Sequence, residues 1–340
     1  MDKQIVFIEK NKAQLLDVES QILGDNQVRV KTCFSTISNG TERANLTGDP
    51  VVSIYSKETD EAKFPRVVGY STSGIVVEKG KNVTSVEVGD KVAMYWTTHR
   101  SYNVMNERNV VKIDGTNVGM EEASIVHIAT FPLAAIRKTR LEIGESAMVM
   151  GLGILGLLAV GLARCAGAVP VIAVDPVKER REKALRFGAD FAFDPFDPDF
   201  AQKVKEVTGG GVNVAIEVTG QGAALNQTLD CMAKFGRVAL LGCTRKSDFT
   251  IDYYRKVHGP GITLVGAHTL ARPTGESHPG YFTTYDDMKC ILNLCEKGRL
   301  DLKSLIDETH TPDECSEVFA RLAQDKNFPT VVQFDWREVE

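Results

Sequence analysis

A glycine-rich turn between an apolar run and a helical pattern is the strongest constraint on the fold of this 340-residue chain. The turn reads GlyLeuGlyIleLeuGly, and its glycines at 151, 153 and 156 match the spacing G-x-G-x-x-G. In that spacing the first glycine allows a tight turn, the second lets backbone amides approach a diphosphate, and the third lets helix and strand pack closely. The sequence therefore predicts a dinucleotide-binding βαβ unit, with Gly151, Gly153, Ile154, Leu155 and Gly156 at the diphosphate. An ordinary strand-to-helix turn is the alternative.

An acidic residue closes the next apolar run, where such folds place a ligand of the adenosine ribose. Asp175 follows the run ending at Val174, and a carboxylate there accepts hydrogen bonds from both ribose hydroxyls but repels a 2′-phosphate. The sequence therefore favours NAD over NADP. Lys178, Arg180 and Arg181 lie close by and can reach a phosphate, although they read more simply as a solvated helix face.

Continuous apolar runs alternate with helical patterns from residue 121 onward, which predicts a doubly wound parallel α/β sheet. The predicted strands are 147–150, 169–174, 192–193, 212–218, 237–241 and 263–266, and the predicted helices include 177–187 and 222–233. Ligands of such sheets bind at the carboxyl ends of strands, so Thr219, Gly242 and Gly266 are further candidates for the cofactor site. Each is equally readable as a turn residue.

The first part of the chain, to about residue 115, has short alternating runs with glycines between them, such as 27–32, 73–80 and 88–95, which predict a barrel-like β domain. After residue 286 we expect helices near 288–296 and 312–324 and an alternating strand at 330–336 that suits the first domain. The predicted division is 1–118 with 286–340 for the β-rich domain and 119–285 for the nucleotide-binding domain.

Composition excludes several classes of protein. The net charge of −5 is not accompanied by any basic block, which argues against nucleic acid as a partner. The first residues lack a signal-peptide pattern and no apolar run is long enough to span a bilayer, so we expect a cytoplasmic protein without a membrane partner. Seven scattered cysteines without a C-x₂-C pair argue against a disulfide framework and a structural zinc site.

Three further segments resemble the medium-chain dehydrogenase/reductase family of the alcohol dehydrogenase type. They are PheProArgValValGlyTyrSerThrSerGlyIleValValGluLysGly (64–80), ValGlyAspLysVal (88–92) and GluGluAlaSerIleValHis (121–127). Together with the glycine turn, the resemblance covers nearly the whole chain. It implies a Rossmann domain inserted in a GroES-like catalytic domain, and an oxidoreductase that transfers hydride between nicotinamide and an alcohol or carbonyl substrate in the cleft between the domains. It also implies a homodimer or homotetramer, paired through the strand at 263–266.

The chain departs from the family at the positions of the zinc ligands. The family's Cys-Gly-Thr/Ser-Asp signature is here SerAsnGlyThrGlu (38–42), and its Gly-His-Glu is Gly69, Tyr70 and Ser71. The third ligand position falls at about His127. Catalytic zinc takes about three cysteine, histidine or carboxylate ligands, and this set supplies one. We therefore expect an enzyme without zinc.

The residues that replace the ligands are the candidates for activating the substrate oxygen, because without a Lewis acid a side chain must polarise it. Tyr70 can donate a hydrogen bond to a carbonyl, Asn39 can orient it, and His127 suits general acid or base work. Thr41 matches the family's hydroxyl that relays a proton.

Each candidate also has a structural interpretation: an aromatic of the barrel wall for Tyr70, a turn for Asn39, a helix N-cap for Thr41 and a core histidine for His127. Two other functions stay open, an NADPH-dependent quinone or enone reductase and a dinucleotide-binding sensor without turnover.

Overall fold

The computed structural model describes residues 1–57, 61–113 and 115–339, which form two compact units. Unit 1 comprises Met1–Ile128 and Met288–Glu340, and unit 2 comprises Ala129–Asp287. Among the described residues, no helix combines the length and the apolar character that a bilayer span requires.

Unit 1 begins with a β-rich segment. Its strands are β1 Asp2–Glu9, β2 Lys12–Val18, β3 Gln27–Thr36, β4 Arg66–Val67, β5 Ser71–Lys79, β6 Lys91–Tyr95, β7 Tyr102–Asn106 and β8 Val110–Lys112. Its helices are α1 Asn39–Leu46 and α2 Met120–Ala123, and α3 Val126–Thr139 follows. The alternating runs at 27–32, 73–80 and 88–95 lie in or overlap β3, β5 and β6, so the predicted β-rich character is confirmed.

Unit 2 is built on a parallel sheet. Its strands are β9 Ala147–Met150, β10 Val171–Val174, β11 Phe191–Phe193, β12 Val212–Glu217, β13 Met232–Leu240 and β14 Thr263–Gly266. The helices between them are α4 Ile154–Cys165, α5 Lys178–Arg186, α6 Phe200–Thr208 and α7 Gly222–Asp230, and a π-helical turn spans Tyr254–His258. The strand order β11-β10-β9-β12-β13-β14 is that of a doubly wound dinucleotide-binding sheet. The predicted fold class is confirmed.

Several element boundaries in unit 2 differ from the predicted ones, and two of the differences have a clear physical reason. The strand predicted from 169 begins at Val171, because Pro170 has no N–H to donate to a ladder. The helix predicted over 222–233 ends at Asp230, and the chain enters β13 at Met232, which pairs with Val212. Cys231 and Met232 are buried (0% and 7% exposed), so pairing with the core overrides the helical pattern there.

The end of the chain completes unit 1. Its elements are α8 Thr284–Glu296, β15 Glu308–His310, α9 Cys315–Gln324 and β16 Val332–Asp335. Strand β16 pairs with β3, so the strand predicted at 330–336 joins the β-rich sheet as expected. The sheet order is β15-β16-β3-β5-β6-β8, with β7 also paired to β3. A separate sheet has the order β2-β1-β4. One apolar core of unit 1 includes Phe7, Phe319, Phe334 and Trp336, and another includes Val28, Val76 and Met94.

Candidate dinucleotide and substrate sites

The glycine turn in unit 2 is held in a geometry that only small residues allow. Gly151 has φ +97° directly after β9, a backbone conformation that favours glycine. A Cβ at Gly156 would lie 1.8 Å from the carbonyl oxygen of Gly151, so α4 begins in contact with the backbone of the turn. These two glycines are therefore needed by the fold itself.

Gly153 differs, because a Cβ there would meet nothing within 4 Å. It is the N-cap of α4 and has no side chain to satisfy the first amides of the helix, which include those of Ile154 and Leu155. Open space in front of free amides at a helix N-terminus suits a diphosphate, both in hydrogen bonding and in charge. The residues present therefore fit a dinucleotide.

Asp175 follows β10 and is turned towards the glycine turn. Its Oδ2 accepts a hydrogen bond from the amide of Leu152 (2.8 Å) and its Oδ1 one from the amide of Val177 (2.8 Å). The residue is 4% exposed. Each carboxylate oxygen has a second lone pair, so Asp175 keeps acceptor capacity for ribose hydroxyls.

The nearby cations are used in different ways. Arg181 Nη1 donates to the carbonyl oxygens of Asp175 (2.6 Å) and Pro176 (2.9 Å), so this guanidinium holds the strand-to-helix connection together. Arg180 Nη1 lies 3.8 Å from Asp175 Oδ2. Lys178 lies on the surface and pairs with Glu182.

The ends of β12 and β13 meet around a buried carboxyl group that sequence reasoning missed. Glu217 is 2% exposed, and it accepts hydrogen bonds from the amides of Thr219 (2.8 Å) and Gly220 and from the Thr219 hydroxyl. Burial raises the pKa of Glu217, although these hydrogen bonds oppose the shift. A Cβ at Gly242 would lie 2.2 Å from the Gly220 amide nitrogen, so the two strand ends pack without side chains. The acid inside the apolar run ValAlaIleGluVal is the sequence feature that could have predicted this buried carboxyl group.

Gly266 is the last residue of β14, the neighbour of β13 in the sheet. A Cβ there would meet nothing within 4 Å. The predicted cofactor residues therefore lie at or just after the carboxyl ends of β9, β10, β12, β13 and β14.

In unit 1, helix α1 carries Asn39 and Thr41. Asn39 Nδ2 donates to the carbonyl oxygens of Pro329 (2.8 Å) and Thr330 (3.2 Å), so this side chain ties α1 to the segment before β16. Thr41 is not the N-cap of the helix, because Ser38 occupies that position. Thr41 instead lines a pocket.

That pocket, which we call the α1 pocket, has a volume of about 250 Å³ and lies wholly within unit 1. Tyr70 and Trp96 form part of its wall, with ring centroids 6.0 Å apart. The Tyr70 hydroxyl donates a short hydrogen bond to Ser38 Oγ. The complete lining is Thr41, Glu42, Asn45, Val67, Val68, Gly69, Tyr70, Trp96 and Thr97.

Glu42 and His99 form a buried pair that is linked to Ser38, the hydrogen-bond partner of Tyr70. Glu42 Oε1 accepts a hydrogen bond from the Ser38 amide (2.9 Å), and Glu42 Oε2 lies 3.0 Å from His99 Nε2. His99 Nδ1 is 2.7 Å from Ser35 Oγ, which also accepts from the Trp336 indole (2.8 Å). A Cβ at Gly69 would meet the His99 ring at 3.0 Å, so His99 also supports the backbone that precedes Tyr70.

His127 lies in the same region but is 0% exposed. Its ring centroid is 5.0 Å from that of Trp96, 5.4 Å from that of Tyr95 and 5.6 Å from that of Tyr70. The imidazole is thus packed among aromatic rings and does not line the α1 pocket.

The donor set at the positions of the family's ligands does not fit zinc. Asn39 offers a carboxamide bonded to two carbonyls, Tyr70 a phenol bonded to Ser38, and only His127 a preferred ligand type. Across residues 1–57, 61–113 and 115–339, no three histidine, cysteine or acidic side chains are grouped as a metal site would need.

A doubly wound sheet with this turn in unit 2, and a β-rich unit 1 that contains a polar pocket, are the features of a two-domain oxidoreductase that uses a nicotinamide dinucleotide. Residues 24–136 match the family model described as alcohol dehydrogenase GroES-like domain, and residues 155–277 match the one described as zinc-binding dehydrogenase. The chain belongs to the medium-chain dehydrogenase/reductase family of the alcohol dehydrogenase type.

Individual relatives agree with this assignment. The L-threonine 3-dehydrogenase of Pyrococcus furiosus is 30% identical over 78% of this chain and 83% of its own length. The D-guloside 3-dehydrogenase of Escherichia coli K12 is 26% identical over 91% and 92%. An alcohol dehydrogenase of E. coli CFT073, solved in complex with NADH, superposes with a TM-score of 0.82 at 18% identity, covering 98% of this chain and 99% of that one.

Proposed function

We propose that this oxidoreductase uses NAD and works without zinc, interconverting an alcohol and a carbonyl compound. The observation that carries the proposal is that the chain has both an open helix N-terminus, at Gly153 in unit 2, and a phenol, Tyr70, in the pocket wall of unit 1. The first suits a dinucleotide, which when bound accepts or supplies the hydride. The second supplies a proton donor at a position where relatives of the family place a metal ligand.

In this proposal Tyr70 hydrogen-bonds the substrate oxygen and moves its proton. In the reducing direction, the phenol donates its proton to the oxygen that becomes a hydroxyl and is left as a phenolate; in the oxidising direction, the phenolate accepts the alcohol proton and becomes a phenol. Ser38 holds the phenol oxygen in place, and the Thr41 hydroxyl, which lines the same pocket, relays the proton onward.

Asn39 and His127 act in this scheme without touching the substrate. Asn39 fixes α1 through its two carbonyl contacts, and thereby fixes Thr41. His127 packs edge-on against Tyr70, at an interplanar angle of 87°. Both residues therefore orient the pocket wall.

Asp175 supports the preference for NAD, because a 2′-phosphate would meet its carboxylate. Arg180, 3.8 Å from that carboxylate, supports a second candidate, an NADPH-dependent quinone or enone reductase, in which the guanidinium turns to the phosphate.

Titration calorimetry with NAD and NADP separates these candidates, with metal analysis of the same preparation. We expect NAD to bind at least about tenfold more tightly than NADP and the protein to contain no stoichiometric zinc. Oxidation of 2,3-butanediol, benzyl alcohol and cyclic polyols with NAD, with and without a chelator, then tests turnover. Tighter binding of NADP, or activity that a chelator removes and zinc restores, would overturn the proposal.

A further inference from the structure

We infer that the α1 pocket binds an uncharged ring polyol, such as a pyranoside or a cyclitol, with its apolar face on Trp96 and a hydroxyl on Thr97. This inference rests on the proposed function, since it names the substrate class of the same site.

Trp96 has the properties of a binding platform. It lines the pocket and is 46% exposed, although its indole is one of the largest apolar groups in the chain. Its backbone has φ +60°, a conformation that costs free energy for any residue with a side chain and that recurs at binding sites. The indole packs against the buried His127 ring in a T-shaped contact, at an interplanar angle of 74°. A rigid, exposed aromatic ring in a pocket suits a ligand with a flat apolar face.

Thr97, the next residue, favours a ligand that carries hydroxyl groups. It lines the pocket and is 5% exposed, and within the described part of the chain its Oγ1 is buried without a hydrogen-bond partner. A buried hydroxyl without a hydrogen-bond partner destabilises the protein. A ligand hydroxyl that reached Thr97 from the pocket would form the missing hydrogen bond and remove this penalty. An aromatic alcohol fills the same volume but leaves Thr97 unsatisfied, and sites of this kind reject such analogues.

The charge of the lining excludes an anionic ligand. None of its residues is a lysine or an arginine. Its carboxyl group, on Glu42, already bonds the Ser38 amide and His99. The remaining polar groups, on Thr41, Asn45, Tyr70 and Thr97, are uncharged donors and acceptors, which suit several hydroxyls on one small ring.

The test is calorimetric titration of the whole protein, with and without saturating NADH. The probes are four methyl hexopyranosides (gluco, galacto, manno and gulo) and myo-inositol, against benzyl alcohol and galactose 6-phosphate. We expect at least one ring polyol to bind about tenfold more tightly than benzyl alcohol or the phosphate. If no ring polyol binds, or if benzyl alcohol or the phosphate binds more tightly than every ring polyol, the inference is wrong.

Variants assign the binding to the two residues. Trp96→Ala should raise the Kd of that polyol by about tenfold or more, whereas Trp96→Phe, which keeps a ring, should change it only about threefold. Thr97→Val keeps the shape but loses the hydroxyl, and should raise the Kd about fivefold for the polyol and not for benzyl alcohol. Ile22→Ala, at a side chain 91% exposed elsewhere in unit 1, is the control and should change neither. Unchanged polyol affinity in both Trp96→Ala and Thr97→Val would overturn the inference.

The two proposals fail in different ways. If NADH binds and butanediol is oxidised while no ring polyol binds, the proposed function stands and the substrate class is wrong. If the polyol binds without NADH and NADH does not bind at all, the substrate class stands and the proposed function is wrong.

Discussion

Among single residues, Tyr70 matters most to the proposed reaction, because its hydroxyl is the proposed proton donor. Tyr70 lines the α1 pocket and its hydroxyl donates to Ser38 Oγ, and Tyr70→Phe removes the hydroxyl while keeping the ring packed on Trp96 and His127. We expect kcat to fall by about 10²-fold or more, as for loss of a general acid or base, with NAD affinity unchanged. Steady-state kinetics and calorimetry measure the two quantities.

Tyr95→Phe is the matched control for this variant. Tyr95 also packs on His127, but its hydroxyl donates to the carbonyl oxygen of Arg108 (2.7 Å) and it does not line the pocket. We expect its kcat to stay within about twofold of wild type, with a stability loss of about 1 kcal/mol. Equal losses of kcat in the two variants would show that the Tyr70 hydroxyl has no specific role in proton transfer.

The buried pair of Glu42 and His99 is expected to stabilise the folded protein. Glu42→Ala leaves the Ser38 amide and His99 without their buried acceptor, so the free energy of unfolding should fall by about 3 kcal/mol. Glu87→Ala is the control, because Glu87 is 69% exposed and pairs with Lys79 on the surface, where such pairs contribute below about 1 kcal/mol. Urea denaturation compares them, and similar losses in both variants would contradict a structural role for the pair.

Among the structural elements, the glycine turn is expected to serve both the stability of the fold and the binding of NAD, and variants at two of its glycines separate these effects. Gly156→Ala places a methyl group 1.8 Å from a backbone oxygen, so the protein should lose both stability and NAD affinity. Gly153→Ala meets no protein atom and has a permitted φ of −69°, so it should melt like wild type. Its methyl group stands where a diphosphate would lie, and NAD affinity should fall about tenfold or more.

Thermal melts and calorimetric titrations check these outcomes. Gly275→Ala is the control, since its added methyl group also meets nothing within 4 Å and the position lies outside the turn. If Gly153→Ala binds NAD as tightly as Gly275→Ala does, the diphosphate is not held at this helix N-terminus.

The sequence predicted those elements in which local pattern and core packing agree. Strands β9 and β14 begin and end as predicted, because each is a short run bounded by turn residues. The end of α7 was not predictable in the same way: Lys234 and Gly236 resemble a helix terminus, yet Met232 already pairs with Val212. Strand pairing between distant segments overrides a local signal there.

The same reason limits prediction of the site. Tyr70, Thr41 and Asn39 were predicted as site residues because they stand at positions of the family's signature. The contacts of Ser38 with Tyr70 and of His99 with Glu42 form only in the folded chain, and no local sequence pattern predicts them.

At the scale of the whole molecule, one buried acid gives stability a dependence on pH. Asp287 is 0% exposed, and burial raises its pKa from 3.8 to about 6, although Arg137 and Arg272 oppose the shift. Between these two pH values the folded state holds a proton that the unfolded state has released. Stability from this group therefore falls as the pH rises from about 4 to 6, by about 3 kcal/mol, and is constant above that range.

Asp287→Asn tests this dependence, because the amide cannot titrate. The difference in unfolding free energy between wild type and variant should change by about 2–3 kcal/mol between pH 4 and pH 6.5, with the wild type losing relative stability. Denaturation at several pH values measures this difference and cancels the contributions of other groups. A difference that is flat with pH would contradict the assigned shift.

We propose that the glycine turn of unit 2 binds the dinucleotide and that side chains of unit 1, rather than a metal ion, polarise the substrate oxygen. A crystal structure of the NAD complex, with diffraction data collected above and below the zinc absorption edge, tests both parts in one measurement. We predict the diphosphate against the amides of residues 153–155 and no anomalous peak beside Asn39, Tyr70 or His127. A diphosphate bound elsewhere, or a zinc peak at those side chains, would contradict the account.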